Sequence, residues 1–192
     1  MVARAALSAA VSYADYLQLE QTSPTRHEYL SGQVLAMAGG TPEHAALCAA
    51  VSGILRDALE GRRCRVYSSD LRIRVEQTDL SSYPDESVVC TALETSPVDP
   101  HAATNPVVLV EVLSDLTEAY DRGAKAAHYR FIPSLRDYVL VSQGERRIEV
   151  QHKNADGVWE LREYRPGEDV ILTSLDVRFA VDQVYRDPLS QP

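Results

Sequence analysis

Val107-Val108-Leu109-Val110-Glu111-Val112-Leu113 sets the architecture of this chain. Every residue but Glu111 is apolar, and valine dominates. A short, continuous apolar run of this kind reads as a strand covered on both faces, at the centre of a sheet and not at its rim. Downstream, residues 118–131 show a helical pattern with Tyr120, Ala124, Ala127 and Phe131 on one stripe, and Pro133 ends it. Residues 137–142 read as the next central strand. Strand, helix and strand in that order predict a right-handed parallel crossover and an α/β fold.

Upstream, Thr41-Pro42-Glu43 opens a helix: threonine caps, proline takes the first helical position and glutamate favours the positive end. It runs to about residue 60 and stops at Gly61, with Ala46, Leu47, Ala50, Val51, Ile54, Leu55 and Leu59 on its apolar face. Residues 65–69 and 71–76 carry strand signals; in the second, Leu71, Ile73 and Val75 alternate with Arg72 and Arg74. A polar, turn-rich stretch at 77–83 leads to Pro84-Asp85 and an apolar run at 87–90. Residues 91–104, with Pro97 and Pro100, read as a long surface loop. Nearer the start, Ser12 caps a short helix at 13–20, and the apolar runs around Ser31-Gly32 predict a hairpin. Residues 146–153, 158–165 and 170–172 read as an antiparallel meander, turned at Asn154, Asp156 and Gly157. The whole predicts a mixed β-sheet flanked by helices, as one domain over residues 12–187 with tails at 1–11 and 188–192.

A chain of 192 residues buries roughly 70% of its unfolded surface and needs no staple. Its formal net charge of −9 opposes phosphate binding by the molecule as a whole, since that rests on lysine and arginine. A local basic patch survives such an average, and Arg62, Arg63, Arg65, Arg72 and Arg74 cluster. A solvated strand face is the competing reading of that cluster. The three cysteines are odd in number and widely spaced, which argues against a disulfide framework and against a cysteine zinc site. The five histidines form no pair at metal-ligand spacing on one helix. No apolar run approaches the roughly 18 residues of a membrane span. The Ala-rich opening is short and runs into a helix pattern, unlike a signal peptide. The expectation is a cytoplasmic protein with no membrane partner.

Glu111 is the residue that needs explaining. An ionised carboxylate inside such a run is costly unless it pairs with a cation or lies where solvent or a metal reaches it. Asp85 follows Pro84 and opens the apolar run at 87–90; alone it reads as turn chemistry. Two strand-borne carboxylates on adjacent strands, however, suit a hard divalent cation such as magnesium. Lys125 falls on a helical face with Asp121, His128 and Tyr129. Its plain reading is a solvated Asp121–Lys125 pair worth a few tenths of a kcal/mol.

These segments resemble a known family. Pro84-Asp85, Val110-Glu111-Val112-Leu113-Ser114, Tyr120-Asp121-Arg122-Gly123-Ala124-Lys125, Tyr129 and Ser134-Leu135-Arg136-Asp137-Tyr138-Val139-Leu140-Val141 resemble the Uma-two family. That is a large bacterial family grouped with the restriction endonucleases in the PD-(D/E)XK nuclease superfamily. Glu28-Tyr29-Leu30-Ser31-Gly32-Gln33, Met37-Ala38-Gly39-Gly40, His44 and Ser69-Asp70-Leu71-Arg72-Ile73 extend the match, which covers about residues 15–185. The resemblance implies a restriction-endonuclease-like core and a metal-dependent endonuclease, with nucleic acid, DNA above all, as partner. It implies Mg2+, with Mn2+ as substitute, held by Asp85 and Glu111, with the Val112 carbonyl as a further ligand. The superfamily's lysine normally lies two residues beyond the second acid; here Leu113 stands there, and Lys125 takes its place as a migrated lysine. Glu28 resembles an additional N-terminal acid, and His44, Asp70 and Tyr129 join as further site residues. Ser114-Asp115-Leu116-Thr117 departs from the family's common Ser-Pro-Ser-Thr and adds an acid near the site. Cutting both strands of a duplex implies a homodimer.

Two other readings compete. Leu113, Asp115 and the acidic net charge suit a degenerate nuclease-fold domain that binds nucleic acid or a protein without cutting. An interaction protein with an acidic face would instead use the loop at 91–104.

Overall fold

A computed structural model describes residues 10–37, 39–187 and 189. The expected tails at 1–11 and 188–192 lie almost wholly outside the described residues, as does Ala38. Ser12 caps α1 (Tyr13–Thr22), its hydroxyl accepting the Asp15 N–H. The expected hairpin follows as β1 (His27–Leu30) and β2 (Gln33–Ala36). Its two turn residues, Ser31 and Gly32, both take positive φ, 46° and 87°, as a strand-matched tight turn requires. Thr41 caps α2 (Pro42–Ala58), whose buried residues Leu47, Val51 and Leu55 fall at four-residue steps.

Seven strands come next: β3 (Arg65–Ser68), β4 (Arg72–Val75), β5 (Leu80–Ser82), β6 (Glu86–Val89), β7 (Thr95–Ser96), β8 (Asp99–Ala103) and β9 (Val108–Leu113). After β9 come α3 (Glu118–Tyr120), a π-helical turn (Asp121–Lys125) and α4 (Ala126–Tyr129). The chain closes with β10 (Asp137–Ser142), β11 (Ile148–Lys153), β12 (Trp159–Tyr164), β13 (Asp169–Leu172), β14 (Val177–Ala180) and α5 (Val181–Val184). The strands form two mixed six-stranded sheets, β2-β1-β5-β4-β8-β7 and β12-β11-β10-β9-β6-β3, with β13 and β14 as a separate pair.

β9 lies where its composition places it. It is buried throughout, between β10, with which it runs parallel, and β6, with which it runs antiparallel. Val110 and Val112 pack with Leu47, Val51 and Leu55 of α2 on one face. Leu109 and Leu113 pack with Tyr129, Tyr138, Leu140, Ile73 and Leu80 on the other. Both faces are thus closed, one by α2 and the other by the α3–α4 segment and the second sheet.

Several expectations need correction. The supposed loop at 91–104 contains β7 and β8, and β8 runs parallel to β4. The turn-rich stretch at 77–83 holds β5, whose Ser81 and Ser82 are fully buried between β1 and β4. Short length, prolines and small polar residues hid these strands. The meander ends at β12, because β13 pairs with β14 and not with the sheet. Cys64 and Cys90 form a disulfide, against the reading of the cysteine count. They flank the β3–β6 ladder, which brings Arg65 opposite Val89 and so the two cysteines together.

Arg72 and Arg74 are neither a basic surface patch nor a solvated strand face. Both are buried beneath the N-terminal tyrosines. Arg72 donates to Tyr83 Oη at 2.8 Å and to Asp99 Oδ1 at 3.0 Å, with the Tyr16 and Tyr83 rings beneath its guanidinium. Arg74 stacks 3.9 Å from the Tyr13 ring centre and pairs with Asp79. Removing one partner of such a buried charged network leaves the others uncompensated. Arg72→Met is therefore expected to cost about 3–5 kcal/mol in urea unfolding, whereas Asp70→Asn, at an exposed pair, should stay within about 0.5 kcal/mol.

Candidate active site

Side chains alternate along a strand, so β9 sends Glu111 to the face opposite Val110 and Val112. There it meets Lys125. The ammonium lies 2.8 Å from Glu111 Oε1, 2.9 Å from Glu28 Oε1 and 3.4 Å from Asp121 Oδ1. Tyr129 donates its hydroxyl to the same Glu111 oxygen at 3.0 Å and lies 3.0 Å from Ser82 Oγ. The Tyr138 hydroxyl donates to the Asp121 carbonyl at 3.0 Å. Glu28, Glu111, Asp121, Lys125 and Tyr129 are all buried.

The helical stripe expected over residues 118–131 is not the inner one. Ala124, Ala127 and Phe131 are exposed, Phe131 by 51%, while Asp121, Lys125, Ala126 and Tyr129 face inward. The ion pairs outweigh the burial of two alanines and one ring. The π-helical turn that carries Asp121 and Lys125 also breaks the simple 3.6-residue period.

Asp85 owes its position to Pro84. Proline has no N–H to extend a ladder, and the β6–β9 pairing ends at Glu86 opposite Val110. One residue further, Asp85 stands opposite Glu111, and its Oδ2 accepts the Val112 N–H at 2.7 Å. On the α2 side, His44 Nε2 lies 3.4 Å from that oxygen and the ring also bonds the Val112 backbone. The Asp85 contact holds the imidazole above its ordinary pKa against the effect of burial. One helical turn on, Cys48 Sγ is 3.4 Å from His44 Nδ1.

The local charge balance is acidic. Burial lifts the Glu111 carboxyl well above the usual carboxylate range, with Asp121 and Asp85 adding to the rise and Lys125 opposing it. Burial works against the Lys125 ammonium, yet Glu111, Tyr129, Glu28 and Asp121 outweigh it and hold its pKa well above normal. Both shifts have one source: several carboxylates crowd one ammonium, so the cluster holds its protons and favours added positive charge. Asp85, Glu111 and the Val112 carbonyl offer oxygen donors alone, the chemistry that a hard divalent cation takes.

Of the eight residues singled out in the sequence, Glu28, Glu111, Lys125 and Tyr129 meet in one buried cluster, and His44, Asp85 and Val112 meet in a second group on the α2 side. Asp70 joins neither; it is exposed and pairs with Arg26. Cys48, Glu86 and Ser82 were missed. His44 and Cys48 are four residues apart on one helix, a mixed pair that a search for paired histidines or paired cysteines passes over. The surface carries two clefts of note. One of about 290 Å3 is lined by Leu113, Asp115, Glu118, Gln143 and Glu145 among others. The other, of about 540 Å3, runs from Ser52 past Arg56 to Arg62 and Arg65. Among the described residues, no helix is long and apolar enough to cross a membrane.

Comparison with known proteins agrees with this architecture. The family described as "Uma2: Putative restriction endonuclease" matches residues 13–182. Two uncharacterized proteins of Synechocystis sp. are similar. The first, slr1290, is 39% identical over 172 residues, 90% of each chain. The second, sll1609, is 31% identical over 150 residues, covering 78% of this chain and 85% of its own. A crystal structure from Anabaena variabilis, titled "a putative nuclease belonging to DUF820", superposes with a TM-score of 0.74 at 16% identity, over 90% of this chain and 96% of that one. At that identity the likeness establishes the shared fold.

Glu86 offers a test of the electrostatics. Its side chain is buried, with Oε2 lacking any hydrogen-bond partner, and burial pushes its carboxyl from 4.5 up to about 7, against a bond from Ser52. Between those values the folded state binds more protons than the unfolded one, so stability falls as pH rises. Wild-type protein should lose on the order of 2 kcal/mol relative to Glu86→Gln between pH 4.5 and 7, read from thermal melts across that range. Parallel pH profiles for the two proteins would refute the assignment.

Proposed function

Because this chain belongs to the Uma-two family, we propose that it is a metal-dependent nuclease that hydrolyses phosphodiester bonds, with Mg2+ as its ion, Mn2+ as substitute and DNA as substrate. The observation that carries this reading is the buried Lys125 ammonium set between Glu111 and Glu28, on the sheet end where Asp85 stands opposite Glu111. Asp85, Glu111 and the Val112 carbonyl would hold the cation. The chemistry it supplies when bound is neutralisation of charge on the scissile phosphate and a lowered pKa for the attacking water.

The chain's own groups do the rest. Lys125 and Tyr129 both bond Glu111 Oε1, which fixes the carboxylate in one orientation. The Lys125 ammonium stays charged and offsets negative charge that builds up as the phosphate is attacked. Glu28, bonded to the same ammonium, is a positioning residue for it. His44 presents an imidazole beside Asp85 for contact with phosphate. The net charge of −9 makes a local basic track necessary for any DNA contact. Arg56 and Arg65 supply one along the larger cleft, next to Ser52, which bonds Glu86. Arg62 is committed elsewhere, to the Leu175 and Asp176 carbonyls. Cleavage of both strands calls for two such sites, so the proposal includes a two-fold dimer.

Cleavage of plasmid DNA tests the reading. Wild-type protein should cut with Mg2+ or Mn2+ and stop on chelation. Asp85→Asn and Glu111→Gln should each be slower by at least about 100-fold, with circular dichroism showing that they fold. DNA bound but left uncut by the wild type would assign a degenerate nuclease-fold binding domain instead.

A further inference from the structure

Beside the oxygen donors lies a second set of ligand atoms of different chemistry. His44 and Cys48 occupy successive turns on one side of α2, and Asp85 opens β6 opposite them. One ligand atom from each falls within 4.8 Å of the others, and all three residues are half-buried, so solvent and ions reach them. Cys48 Sγ and His44 Nδ1 are 3.4 Å apart, as are His44 Nε2 and Asp85 Oδ2. In a tetrahedral zinc site, bonds of about 2.3 Å to sulfur and about 2.0–2.1 Å to nitrogen place adjacent donors about 3.5 Å apart. The two contacts use different ring nitrogens, so with either one ligating, one neighbour already stands at ligand spacing and the set of three lies within 4.8 Å, with a fourth position left for solvent.

The charge around the thiol has the right sign. Asp85, Glu86 and Glu111 all act electrostatically on Cys48. Carboxylates that disfavour a lone thiolate favour a thiolate shared with a divalent cation. Imidazole and thiolate are poor ligands for magnesium and good ones for borderline, thiophilic ions.

We propose that His44, Cys48 and Asp85 form a binding site for a thiophilic divalent cation of the zinc class, distinct from the oxygen site of Asp85, Glu111 and Val112 and sharing only Asp85 with it. The assignment does not depend on nuclease activity.

Cobalt(II) titration of the full chain, run anaerobically without reductant so that Cys48 stays a thiol and the Cys64–Cys90 disulfide stays intact, tests it. One equivalent of Co2+ should produce near-ultraviolet thiolate-to-cobalt charge-transfer absorption that Zn2+ displaces. Cys48→Ser should abolish that absorption, and His44→Ala and Asp85→Asn should weaken binding by at least about tenfold, while Glu111→Gln retains it. If Cys48→Ser fails to fold, the other two variants decide. Absence of the charge-transfer band in the wild type, or its survival in folded Cys48→Ser, overturns the site. Magnesium-supported cleavage without the cobalt band defeats this inference alone; the band without cleavage defeats the nuclease reading alone.

Discussion

The buried ammonium of Lys125 is the constraint around which the rest is arranged. A lone carboxylate in the middle of β9 would be untenable, and so would a lone lysine beneath the α3–α4 segment; each is tolerable because of the other. Two further acids, Glu28 and Asp121, bring β1 and the π-helical turn to the same point. Elements distant in sequence are thereby tied to one end of the central strand. Three acids face one cation there, and burial holds protons on the group as well.

Much of this was legible in the sequence, and the reasons differ from element to element. Continuous apolarity identified β9 as central, since a polar face anywhere would have broken the run. Thr41-Pro42 and Ser12 marked helix starts through local capping chemistry that tertiary structure does not override. The Glu111 candidate came from asking where an isolated charge finds a partner, Asp85 joined it as a second strand-borne carboxylate, and the role of Lys125 came from the family resemblance. By contrast, β5, β7 and β8 were missed because strands of two to five residues carry little periodic signal. Pro100 within β8 also speaks for a loop by every local rule.

The inner face of the α3–α4 segment was misread for a physical reason. Periodicity ranks positions by hydrophobicity, and Ala124, Ala127 and Phe131 outrank Asp121 and Lys125 on any scale. Burial here follows ion pairing, which no single-residue scale contains. Arg72 and Arg74 fail in the same way: they alternate with Ile73 and Val75 as solvent-facing residues should, yet the tyrosines of α1 and β1 roof them over. In both places the sequence shows the charge but not its cover, and the cover arrives from tens of residues away.

Leu113 belongs to the same region of the fold. Residues 111 and 113 share a face of β9, and the Leu113 side chain lies in the apolar cluster with Leu109, Tyr138 and Leu140. An ammonium placed there would need to reach past that packing. The α3–α4 segment covers the same face of the sheet, and Lys125 on its inner side reaches Glu111 from there. The cation thus meets the carboxylate from the helix side, while position 113 belongs to the core.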